Sequence, residues 1–109
     1  MEVERLIEML DSMMEQAYDG NCGVTFNDGY SINRIYMDDD GDICLVSNEM
    51  DLQELDASDI RAVIEDLEDD TQVYFVVFDD WNDGTYFKIK NSWEFDCDGN
   101  AEVTTELCD

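Results

Sequence analysis

Val73-Tyr74-Phe75-Val76-Val77-Phe78 is six consecutive apolar residues, β-branched or aromatic throughout, with an acidic segment on either side. The run is too short for a helix and has no polar alternation, so it predicts a strand buried on both faces of a sheet. The segment Asp79-Asp80-Trp81-Asn82-Asp83-Gly84 reads as the turn out of it. Beyond that turn, residues 85 to 91 set Tyr86, Lys88 and Lys90 against Phe87 and Ile89, the alternation of a strand with one apolar face. Asp98-Gly99-Asn100 then turns the chain into a last strand over about 101 to 107.

Upstream of the run, Ile60, Val63, Ile64 and Leu67 repeat at helical spacing behind Asp56 or Ser58 as the cap, predicting a helix over 58 to 68. Further back, β-prone runs at 22 to 26, 30 to 37 and 42 to 47 are joined by Asn27-Asp28-Gly29 and Asp38-Asp39-Asp40-Gly41, which suits an antiparallel meander. The chain opens on a stripe of Val3, Leu6, Ile7, Leu10, Met13, Met14 and Ala17, so a first helix is expected over 2 to 18. Met9, Met13 and Met14 give it a soft apolar face, suited to the core or to a dimer contact. The expected fold is one α+β domain spanning 1 to 109, in the order α-β-β-β-α-β-β-β. Two helices pack on one face of an antiparallel sheet of five to six strands.

Charge narrows the function. Thirty residues are Asp or Glu, five are Lys or Arg and none is His, a formal net charge of −25. Such an excess repels itself and destabilises the compact state, so a cationic partner is the natural reason for it. A basic face for nucleic acid is excluded, because only Arg5, Arg34, Arg61, Lys88 and Lys90 could supply one. Disorder is excluded by 44% hydrophobic residues arranged with clear periodicity.

Without histidine, the Ser-His-Asp and Cys-His arrangements and the commonest general base are ruled out. No glycine-rich phosphate loop is present, and Lys88 and Lys90 lie among acids that would pair with them. An enzyme is not expected, nor a cofactor. EF-hand ligand spacing fails around Gly41, Gly84 and Gly99, so no specific metal site is assigned; weak binding of Mg²⁺ or Ca²⁺ to the acidic clusters is expected. Cys22, Cys44, Cys97 and Cys108 are widely spaced without a C-x-x-C pair and read as reduced thiols, Cys108 being the most exposed.

The remaining signal is three acidic clusters: Asp38, Asp39, Asp40 and Asp42; Glu65, Asp66, Glu68, Asp69 and Asp70; and Asp79, Asp80 and Asp83. Asp is favoured in tight turns for backbone reasons, which accounts in part for the first and third. The second is expected on a helix end, where the dipole opposes anions. Blocks of like charge mark interaction surfaces, and Trp81 beside the third cluster is a candidate anchor.

In size, charge and helix-plus-sheet build, the chain resembles the small acidic proteins that phages and mobile elements use against host defence, the DNA-mimic anti-restriction and anti-CRISPR inhibitors. The resemblance implies a stoichiometric inhibitor that blocks the cationic nucleic-acid groove of a CRISPR effector or restriction enzyme, acting in the host cytoplasm as a monomer or homodimer. The alternative is an immunity protein or antitoxin that neutralises a cationic nuclease toxin. The acidic start lacks the basic region of a secretory signal, and no apolar run is long enough to span a membrane.

Overall fold

A computed structural model describes residues 1–48, 53–78 and 83–108, residue 83 by its backbone only. Helix α1 (Val3–Gln16) leads into strands β1 (Val24–Phe26), β2 (Tyr30–Ser31), β3 (Arg34–Met37) and β4 (Ile43–Asn48). Helix α2 (Ala57–Ile64) follows, then β5 (Val73–Phe78), β6 (Asp83–Phe95) and β7 (Ala101–Leu107). The fold is α+β with a seven-stranded mixed sheet in the order β2-β1-β7-β6-β5-β4-β3. β1 pairs parallel with β7 and β4 parallel with β5, while the other neighbours are antiparallel.

The expected meander and five-to-six-strand antiparallel sheet are therefore corrected. The run 30 to 37 divides into β2, which pairs with β1, and β3, which pairs with β4, and these stand at opposite edges of the sheet. Asn33 makes the division. It is buried, its amide donates to the Gln53 carbonyl, and its side-chain oxygen accepts the Asn48 N–H. Beside it, Ile32 bridges to Leu55 instead of continuing either hairpin. A buried amide requires such partners, and while the side chain takes them the Asn33 N–H donates to the Val46 carbonyl of β4 at 2.8 Å, so this residue is where the chain passes to the β4 edge.

β5 lies near the middle of the sheet, its side chains dividing between two apolar clusters. Val73, Phe75 and Val77 join Phe26, Leu45, Ile89 and Val103 beneath both helices, whereas Val76 joins Cys44 and Val46 on the other face. Both helices contribute to the first cluster and neither to the second, so both lie on one face as expected. Met9 and Met13 are core residues, and Met14 packs against them. Val63, counted into the α2 stripe, is instead 52% exposed.

α2 starts on a reciprocal cap: the Asp56 carboxylate accepts the Asp59 N–H at 2.9 Å, and the Asp59 carboxylate accepts the Asp56 N–H at 3.2 Å. Partial burial pushes the Asp56 carboxyl upward, but hydrogen bonds from Asp59, Ser58 and Asn21 outweigh it and hold the group below the usual aspartate range. Asp56→Ala is expected to cost about 1 kcal/mol near neutral pH. A group with a depressed folded pKa contributes above its unfolded pKa, about 3.9, and the contribution fades as pH falls through the lower folded value. Denaturation of both proteins from pH 7 to pH 2.5 should show their difference shrinking at the acid end; a constant difference would contradict the role.

Candidate partner-binding surface

α2 ends at Ile64, earlier than expected, so of the second acidic cluster only Glu65, the C-cap, stands at the helix end and the other four residues follow it. Continuing the helix would stack Glu65 on Asp69 and Asp66 on Asp70 at its negative pole, and like charges at that spacing are unfavourable. Instead Glu65 is the C-cap and pairs with Arg61 at 3.0 Å, while Arg61 also reaches Asp11 of α1 at 2.6 Å. Leu67 folds back onto the core. Glu65, Asp66, Glu68, Asp69 and Asp70 are all left exposed in the connection to β5.

That connection closes the N-terminus of α1, which has no side-chain cap. The Val3 N–H donates to the Thr71 carbonyl at 2.8 Å and the Glu4 N–H to the Asp69 carbonyl at 3.1 Å, filling two of the positions a helix start leaves open. Exposed Glu2 and Glu4 are thereby fixed beside Asp69 and Asp70.

The first cluster reaches the same end. Because β4 and β5 run parallel, they begin together, with Ile43 opposite Val73 and the Ile43 N–H donating to the Gln72 carbonyl at 2.8 Å. The β3–β4 turn just before Ile43 is organised by Asp38, whose Oδ1 accepts the N–H groups of Asp40 and Asp42 at 2.9 and 3.0 Å. Gly41 supplies the left-handed residue (φ +84°) that this turn requires. Asp38 and Asp42 are half-buried, and Asp39 and Asp40 project into solvent. Carboxylate oxygens of Asp38, Asp40 and Asp42 lie within 4.8 Å of one another. As Asp38 is occupied by the backbone of its own turn, it serves as a turn residue rather than a contact residue.

Of the third cluster the structure describes only the Asp83 backbone. Asp79, Asp80 and Trp81 lie outside the described residues, and Asp83 opens β6 opposite Phe78, at the far end of β5. A six-residue strand separates the two ends by about 20 Å. The basic residues are not set apart from this end: Arg5 follows Glu4 in the exposed first turn of α1, and Lys88 lies across from the second residue of β5. Arg34 lies opposite Val46 and Lys88 opposite Tyr74, on the sheet face away from the helices, where Lys90 pairs with Glu106. Three of the five cations therefore occupy that face. Sequence reasoning treated Glu2 and Glu4 only as favourable helix-start charges, because their convergence with the clusters depends on the parallel β4/β5 pairing.

All four cysteines are free. Burial pushes the Cys22 and Cys44 thiols upward, away from reactivity. Cys97, in the β6–β7 turn, is the exposed one, whereas Cys108 is half-buried and its N–H is held by the Tyr86 carbonyl. This corrects the expectation for Cys108. No helix among the described residues is long and apolar enough to cross a membrane. Comparison with protein-family models, curated proteins and solved structures finds no match.

Proposed function

We propose that this chain is a stoichiometric inhibitor that presents duplex-like charge to the cationic nucleic-acid groove of a host-defence nuclease, a CRISPR effector or restriction enzyme, in the host cytoplasm. It performs no chemistry of its own. The observation that carries the reading is the convergence of Glu2, Glu4 and two acidic clusters on one end of the sheet. The scale also fits. The molecule is 36 Å long and carries a net charge of −25, and a duplex of that length carries about 21 phosphate charges at one per roughly 1.7 Å. Carboxylates engaging the groove's Arg and Lys residues would displace counterions as phosphates do.

The test is retention from the lysate of a bacterium with active restriction and CRISPR systems on the immobilised protein, eluted by salt with and without duplex DNA. One nucleic-acid enzyme, held at moderate salt and displaced by duplex, is the expected result. Abundant basic proteins released at low salt would overturn the proposal. Retention of a secreted or toxin nuclease that duplex does not displace would put the immunity reading in its place.

A further inference from the structure

β6 and β7 lose register midway. Ile89 lies opposite Thr105 and Trp93 opposite Val103, so Lys90, Asn91 and Ser92 face the single residue Thr104. Such an excess bends a strand and re-aims its side chains. Beside the irregularity is a cavity of about 450 Å³ whose walls include Asn27 and Asp28 from the β1–β2 turn, Trp93 and Glu94 from β6, and Glu102 and Thr105 from β7. Thr25 donates its hydroxyl to Glu102 Oε2. The other carboxylate oxygen, Oε1, is buried and has no hydrogen-bond partner. Leaving buried polar atoms unpaired is costly and uncommon.

We propose that this cavity binds the guanidinium of an arginine side chain from a protein partner. The walls offer three carboxylates, a side-chain amide and hydroxyls, with no cation among them, so they call for a ligand rich in donors. Among the described residues, the acidic groups close enough to hold one ion are those of Asp38, Asp40 and Asp42. Those of Asp28, Glu94 and Glu102 are spread apart, as suits a planar fork of five N–H donors rather than a metal or a compact ammonium. This inference rests on the proposed function for the identity of the partner, to which it would give a fixed anchor apart from the converging acidic end.

The pocket can be tested on this chain alone, so its failure would leave the charge-mimicry proposal standing. N-acetyl-arginine amide and, separately, N-acetyl-lysine amide are titrated into the labelled protein at 150 mM salt, followed by NMR at the Asn27 side-chain amide and the Glu94 and Thr104 backbone amides. The arginine probe is expected to shift these signals saturably, the lysine probe about tenfold more weakly, and Glu102→Gln to weaken arginine binding about tenfold. If Glu102→Gln loses the native spectrum, exposed Glu94→Gln takes its place, with an expected loss of about threefold. Equal shifts from both probes, or arginine shifts that neither variant reduces, would overturn the proposal in favour of general attraction to an anionic surface.

Discussion

A variant carrying Asp39→Lys, Asp40→Lys, Asp69→Lys and Asp70→Lys is expected to keep its fold and to bind the nuclease partner proposed above about a thousandfold less tightly. The four side chains are exposed. The bond that fixes the α1 start uses the Asp69 backbone carbonyl, which the substitution leaves in place. Each exchange changes the charge by two, so the net charge moves from −25 to −17, and relief of self-repulsion should offset any local loss. Four exposed pairs at roughly 1 kcal/mol each, at 1.4 kcal/mol per decade, give the thousandfold figure. The salt dependence should flatten as well, by about 0.9 in log–log slope for each phosphate-like contact removed. Titration calorimetry or surface binding at three salt concentrations would measure both quantities. Unchanged affinity with an unchanged slope would remove the converging end from the interface. The same substitutions in only one cluster should give an intermediate loss, because both clusters border one surface.

Phe75→Ala is expected to abolish cooperative unfolding at low ionic strength. Phe75 is fully buried in the central β5, with its ring stacked on Phe26 at 5.1 Å and 13° and packed against Phe87 at 5.7 Å. Truncations of this kind cost about 3–5 kcal/mol. Domains have about 5–15 kcal/mol in all, and self-repulsion of 25 net charges draws that reserve down at low salt. Raising NaCl to about 1 M shortens the screening length to about 3 Å and should restore part of the transition. Near-ultraviolet circular dichroism during a thermal melt would show it, with Val63→Ala, at an exposed site, as the near-neutral control. A cooperative Phe75→Ala melt within a few degrees of the parent at low salt would contradict this account of the core.

What the sequence made legible was whatever depends on neighbours along the chain. The β5 run, the α1 stripe, the Asp56 cap and the Asp98-Gly99-Asn100 turn each follow from local propensity and period, and each is found where expected. Partner choice between strands depends on the whole chain, and there the reading departed from the structure. Nothing in residues 22 to 26 says that they will lie parallel to residues 101 to 107, which are the last strand. The splitting of the run 30 to 37 had a visible sign in Asn33, an amide that belongs poorly in a continuous apolar strand. The helical period of Ile60, Val63, Ile64 and Leu67 carries the expected helix to 68, although the like charges from Glu65 onward argue for the earlier stop that the structure shows.

The same balance holds for the candidate site. The acidic clusters were legible as composition, but the convergence of the first two was not, because it follows from β4 and β5 starting side by side. Asp28, Glu94 and Glu102 come together through the pairing of β7 with both β1 and β6. Asn91-Ser92, two polar residues inside an otherwise strand-like stretch, was the one trace in the sequence of the register irregularity between β6 and β7.

The placement of β7 between β1 and β6 bears on how the protein is made. β1 forms early in synthesis, yet its sheet neighbours are the adjacent β2 and a strand about 75 residues later in the chain. Until residues 101 to 107 leave the ribosome, β1 and β2 are cut off from the rest of the sheet, and the Val24 and Phe26 side of the core lacks Ala101 and Val103. Closing so long a loop is slow, so folding is completed only after translation of the last strand. In the interval the nascent chain exposes unpaired strand edges, and its dense negative charge keeps neighbouring copies apart while it waits.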